Sequence, residues 1–166
     1  MSTLAVCSAH QAFIELTEAF YCQAGCELAY FDSDPGEPIA FEATVGEVKF
    51  SVGYDPSAGD TCLFVYCAFG VPPVQDREAA LLRLLQLNPD EARLHNGTYC
   101  VEPGTQEVAY YLRASTADMD VAGLQEQLGR IAMLATQWRQ DPLDQPLTHP
   151  EPVVTDRAAA SWLPFV

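Results

Sequence analysis

Between Ile39 and Phe69 the chain holds three short apolar runs joined by connections that read only as turns. Ile39, Phe41, Ala43 and Val45 alternate with other residues and share one face of an extended segment. Val48, Phe50, Val52 and Tyr54 do the same against Glu47, Lys49, Ser51 and Gly53, the pattern of a half-buried strand. Gly46 is placed to turn the first strand into the second. After a loop over residues 55–60, the segment 61–69 is almost wholly apolar and predicts a central strand covered on both faces.

Helical patterns flank this run. The first helix is predicted over residues 8–24, with Ser8 and Gln11 as a capping box and Gly25 as the C-terminal glycine. Ala9, Phe13, Leu16, Phe20 and Ala24 form one stripe, which Ile14 and Tyr21 widen, while Gln11, Glu15, Glu18 and Cys22 lie opposite. An arc this wide fits a deeply seated helix and equally a helix that turns part of itself to a partner. A second helix is predicted over residues 76–88, closed by Pro89. Leu81, Leu82, Leu84, Leu85 and Leu87 crowd its circumference, so it is either sandwiched within one subunit or shared between two.

Two further strands are expected near residues 98–102 and 107–114, joined as a hairpin across Pro103 and Gly104, with Asn96-Gly97 as the turn leading in. A last helix starts at Asp118 or Asp120 and runs to about Gln140, with Leu124, Leu128, Ile131, Ala135 and Trp138 on one face. The fold class is therefore α+β: helix, three strands, helix, two strands, helix, with helices packed on a twisted antiparallel sheet. The chain divides into one domain, residues 1–140, and a proline-rich tail, residues 141–166, whose end (158–166) is apolar enough to dock.

Charge and composition exclude more than they select. The net charge is −15 and Lys49 is the single lysine, so attraction to nucleic acid or anionic lipid is not expected. With 49% hydrophobic residues the chain can still build a core, unlike an acidic disordered tail. No apolar run approaches a membrane span and the N-terminus lacks a signal-peptide pattern, so no stable membrane insertion and a cytoplasmic location are expected. The six cysteines contain no CxxC pair, and His10, His95 and His149 are scattered singly, so no metal site is expected. His10 is read as a surface or capping residue near the start of the first helix.

Nothing places a nucleophile beside a base, and phosphate and dinucleotide loops are missing. The acidic stretch from Asp32 to Glu37 fails as a calcium loop and reads as a turn. No catalytic residue and no cofactor are nominated. Cys22 and Cys26, four apart on the polar side of the first helix, read as solvent-accessible or interface thiols.

At this point the chain resembles the class I type III secretion chaperones of the Tir-chaperone (CesT-like) family. The segment LFVYCAFGVPP, residues 63–73, is similar to the family's strand that ends in a small-residue and proline turn. Leu81-Leu82, Leu84-Leu85 and Asn88 match its leucine-rich second helix, and Gly97 and Trp138 match its following glycine and the tryptophan of the last helix. The resemblance spans about residues 8–140; the proline-rich tail departs from it.

The resemblance implies a bacterial cytoplasmic homodimer without enzymatic activity or cofactor. Its partner would be the N-terminal chaperone-binding segment of one or more secreted effector proteins, held extended and export-competent without ATP. On that analogy the first helix and first strands offer effector grooves, with Phe13, Leu16, Phe20, Phe41 and Phe50 as candidates. The second helix and following hairpin offer the dimer interface, with Leu81, Leu82, Leu85, Tyr99, Tyr110 and Leu112. The rival readings are another α+β interaction module, such as an adaptor or immunity-type protein, and a small thiol enzyme using Cys22 or Cys62.

Overall fold

A computed structural model describes residues 3–26 and 33–143, with the side chains of residues 3–7, 60 and 61 left undescribed. The order is α1 (Thr3–Ala24), β1 (Ile39–Val45), β2 (Val48–Tyr54), a 3-10 turn (Pro56–Thr61), β3 (Leu63–Gly70), α2 (Arg77–His95), β4 (Gly97–Val101), β5 (Val108–Ala114) and α3 (Val121–Gln140). The five strands form one sheet in the order β1-β2-β3-β5-β4, with every neighbouring pair antiparallel. The expected α+β class, element order and antiparallel sheet are all present.

β1 and β2 have the predicted bounds. Val45 pairs with Val48 across a two-residue hairpin in which Gly46 takes φ +60°, as the first central residue of a type II′ turn requires. β3 is central, as expected, but its burial alternates instead of being complete on both faces. Leu63, Val65, Cys67 and Phe69 enter the core; Phe64, Tyr66 and Ala68 are half-buried on the other face. α1 and α3 lie on the inner face, and the outer-facing aromatics cover one another. Phe64 stacks on Tyr111 with ring centroids 5.9 Å apart, and it lies over Gly53, where a β-carbon would stand 2.3 Å from its ring.

α1 begins at Thr3, five residues before the predicted start, because the preceding stretch contains good helix formers and no breaker. Ser8 is therefore inside the helix and does not cap it. The other end follows expectation: Gly25 at φ +69° closes a Schellman motif, with Cys26 N–H donating to Tyr21 C=O (3.1 Å) and Gly25 N–H to Cys22 C=O (3.2 Å). α3 starts where Asp120 accepts a hydrogen bond from Gly123 N–H at 2.7 Å.

α2 does not stop at Pro89. It runs on to His95 and ends at Asn96, which adopts the left-handed conformation at φ 53°. Proline in a helix interior removes one hydrogen bond and crowds the preceding turn, so something must hold the far side in place. Two anchors do so. Asn88, just before the proline, is bonded to β4, and Glu91, just after it, is bonded into the core.

The core lies between the inner sheet face and α1 and α3. Phe13 packs against Phe41 and Tyr54, with ring centroids 6.1 and 6.0 Å apart, and Phe20 packs against Phe41 at 5.6 Å. From α3, Leu124, Leu128, Ile131, Ala135 and Trp138 are all buried, the face read from the sequence. His10 is not a surface or capping residue: it is buried within α1, edge-on to Tyr54 at 5.5 Å, with Nε2 2.9 Å from Ser33 Oγ. Asp34 organises the predicted turn, accepting from Gly36 N–H at 2.8 Å. The tail from residue 144 onward, including its apolar end and His149, lies outside the described residues, and so does Asp32.

Candidate binding surfaces

α2 carries the exposed leucines Leu82, Leu85 and Leu94. Of its leucines only Leu84 is buried; Leu81 and Leu87 are half-buried, and Leu82 and Leu85 are 54% and 65% exposed. Within this chain the helix is thus not sandwiched. Two grooves follow it. One, of about 640 Å³, opens at its first turns between Val74, Arg77, Leu81, Leu82 and Leu85. The other, of about 170 Å³, lies between α2 and β4 and is lined by Leu81, Leu85, Asn88, Cys100 and Val101.

The seam between α2 and β4 is fixed by Asn88. Its side-chain amide donates to Tyr99 C=O at 3.1 Å and its carbonyl accepts from Tyr99 N–H at 2.7 Å, so it pairs with the strand as a neighbouring backbone would. This occupies part of the β4 edge. The opposite edge is different. β1 pairs only with β2 among the described residues, and the antiparallel geometry directs the backbone groups of Ala40, Glu42 and Thr44 away from β2.

Beneath α2 is a buried polar cluster. The Tyr110 hydroxyl donates to Glu91 Oε2 at 2.5 Å, Arg130 Nη1 donates to the same carboxylate oxygen at 3.1 Å, and Arg130 Nη2 lies 2.7 Å from the Tyr110 oxygen. The Glu91 and Arg130 side chains are 2% and 12% exposed, so the pair is a buried salt bridge satisfied by a third partner. Burial, above all, raises the Tyr110 hydroxyl well beyond the ordinary phenol range, and it stays a donor. Gly97 leaves room for the ring, because a β-carbon there would stand 1.7 Å from the Tyr110 oxygen. α2, β4, β5 and α3 thus share one polar knot.

The residues nominated for effector grooves do not form an open groove. Phe13, Leu16, Phe20, Phe41 and Phe50 are all buried, because they are the inward positions of α1, β1 and β2. Above them at the surface are the half-buried Ile14, Tyr21, Ile39 and Val45. The nominated interface residues divide. Leu81, Leu82 and Leu85 reach the surface, whereas Tyr99, Tyr110 and Leu112 point into this chain's own core from inward positions of β4 and β5. Sequence reasoning missed Glu91, Arg130 and the role of Asn88. It also missed Arg139, which donates to Ala68 C=O (2.9 Å) and Phe69 C=O (3.2 Å) at the irregular end of β3.

The thiols are dispersed. Cys22, Cys26 and Cys100 are exposed, and Cys62 and Cys67 are buried. Burial pushes the Cys67 thiol up to about 12, far from a reactive thiolate. Cys62 Sγ lies 3.6 Å from Thr116 Oγ1. Among the described residues, no group of His, Cys, Asp and Glu side chains could hold a metal ion, and no helix is long and apolar enough to cross a membrane.

Comparison with known proteins adds an independent line. Among solved structures, the ExsC–ExsE complex contains a chain 14% identical, covering 79% of this chain and 93% of that one with a TM-score of 0.60. A chain of the complex between the Yersinia Pestis type III secretion chaperone SycH and a stable fragment of YscM2 is 14% identical, with coverage of 74% and 96% and a TM-score of 0.55. The HopA1–SchA chaperone–effector complex gives 10% identity, 80% and 97% coverage, and a TM-score of 0.58. At these identities the likeness establishes the fold. No curated protein matches the chain. The profile of the Tir chaperone protein (CesT) family matches residues 56–139, the part that holds β3, α2 and its leucines, the hairpin and α3, and the chain belongs to that family.

Proposed function

We propose that this protein is a cytoplasmic type III secretion chaperone of a bacterium, which binds the N-terminal segment of one or more secreted effectors. Bound in this way, the segment stays soluble and competent for export, and no ATP is consumed. The observation that carries the reading is family membership over residues 56–139 together with two features left uncovered among the described residues: the apolar face of α2 and the outer edge of β1.

Each feature suits a different partner. Leu85 and Val101, on either side of the α2–β4 groove, suit a second copy of the chain, which makes the working form a homodimer. The β1 edge suits an extended segment that adds a strand through main-chain hydrogen bonds, with Ile14, Tyr21, Ile39 and Val45 as shallow contacts beside it. Phe13, Leu16, Phe20, Phe41 and Phe50 support that surface from behind. Extended binding requires a long interface, because ordering a flexible segment is costly and must be offset over its length. The net charge of −15 opposes aggregation beyond the dimer while apolar grooves stand open.

The test is co-expression of the full chain with the first hundred or so residues of secreted proteins encoded beside it. A soluble complex that persists without nucleotide supports the proposal. Failure of every such segment to co-purify or gain solubility favours a different interaction module.

A further inference from the structure

We infer that the strand docking on the β1 edge carries a lysine or arginine opposite Glu42, between two apolar neighbours. This rests on the effector reading proposed above and adds the chemistry of the segment that the edge selects.

The charge of the chain is unevenly placed. Residues 1–48 hold eight Asp and Glu side chains and no Lys or Arg, so neither α1 nor β1 contains either cation. Carboxylates are spaced along the edge: Glu37 precedes β1, Glu42 is in its middle and Glu47 follows in the hairpin turn, all exposed. Glu42 stands on the outer face of the sheet, opposite Ser51 of β2. Lys49, the first cation in the sequence, lies opposite Thr44, one strand in from the edge. It makes no ion pair with Glu42 among the described residues.

Strand geometry converts this charge into a preference at one position. The N–H and C=O of Glu42 point away from β2, so an added antiparallel strand exchanges both hydrogen bonds with it there. The side chain opposite Glu42 then stands on the same outer face, with the two β-carbons about 5 Å apart. A basic residue gains the cross-strand attraction, and an acidic one is repelled. Its two neighbours project to the inner face beside Phe41 and Ala43, where Tyr21 of α1 packs edge-on against Phe41 at 5.5 Å. Those two positions suit apolar side chains.

The same carboxylates decide against a second copy of the chain at this edge. Two β1 edges paired antiparallel about their centres would set Glu42 against Glu42, with Glu37 level with Glu47 at either end. Shifting the register does not help, because β1 offers no cation in any register. The edge therefore rejects its own copy and admits a basic segment.

The test selects a displayed library of random peptides on the full chain and, separately, on its Glu42→Lys variant. Amide exchange of each complex assigns a peptide to the edge when Ala40 and Thr44 gain protection. Edge-bound peptides from the unaltered chain should be enriched in Lys or Arg flanked by apolar residues. They should bind the Glu42→Lys variant about tenfold more weakly. Peptides selected on the variant should carry Asp or Glu at that position. Glu42 is exposed, so the variant should keep the circular dichroism spectrum of the unaltered chain. Glu78→Lys makes the same change of net charge on α2, which packs on β4 at the far edge of the sheet, and should leave affinity unchanged. Edge-bound peptides without a basic preference, or an equal loss from Glu78→Lys, overturn the inference and leave docking at β1 in place. If neither selection yields an edge-bound peptide, that docking falls and this inference falls with it.

Discussion

The side chain of Asn88 forms two hydrogen bonds with the backbone of Tyr99, accepting from its N–H and donating to its C=O, one residue before α2 passes through Pro89. A helix side chain thus completes a strand edge. This ties the leucine face of α2 to the sheet and closes the β4 edge at that point to other strands. Replacing Asn88 by Ala leaves both Tyr99 groups unpaired in a part-buried seam. It should lower stability by about 2 kcal/mol, read from urea unfolding, and raise amide exchange at Tyr99.

The buried Glu91–Tyr110–Arg130 cluster acts as a unit. Glu91→Ala strands the Arg130 guanidinium and should cost about 3–5 kcal/mol. Tyr110→Phe alone should cost less, and the two losses should fall short of additive by about 1 kcal/mol in a double-mutant cycle. Additive losses would mean that the hydroxyl and carboxylate contribute separately.

Much of this was legible in the sequence. The periodicity of α3 and the alternation in β1 and β2 fixed those elements almost to the residue, because a one-sided core imposes its period on every residue of an element. Pro89 misled for a physical reason. Local propensity ends a helix there, and the contacts that override it come from Tyr99, Tyr110 and Arg130, all far along the chain. The motif asparagine at position 88 was visible as a pattern, but its partner is a strand backbone that no side-chain pattern announces. The aromatic candidates on α1, β1 and β2 were identified as apolar positions, yet periodicity does not separate a groove floor from a groove wall.

The exposed leucines of α2 predict association. Light scattering at micromolar concentration should give the mass of two chains, and Leu85→Asp with Val101→Asp should give one chain with an unchanged circular dichroism spectrum. A monomeric unmodified protein would remove the dimer from the proposal and leave the fold as it is.

The thiols separate the chaperone reading from a thiol enzyme. In native protein at pH 8, iodoacetamide should modify Cys22 and Cys26, which are exposed, and spare Cys62 and Cys67 until the chain is unfolded. Cys67, pushed up to about 12, is protonated at that pH, and burial shields it further. Cys100 should react more slowly than Cys22, because partial burial and the nearby Glu102 raise its thiol. Single Cys→Ser changes at Cys22 and Cys62 should leave effector binding intact.

The central claim is that a dimer of this chain holds an effector segment in extended form. The most direct measurement is the mass and amide exchange of the complex purified with that segment in nucleotide-free buffer. The account predicts two copies of this chain per segment, with new protection at the β1 amides of Ala40, Glu42 and Thr44 and along the segment, which has no compact core of its own. A complex in which the segment is independently folded, or one that leaves the β1 edge unprotected, would contradict it.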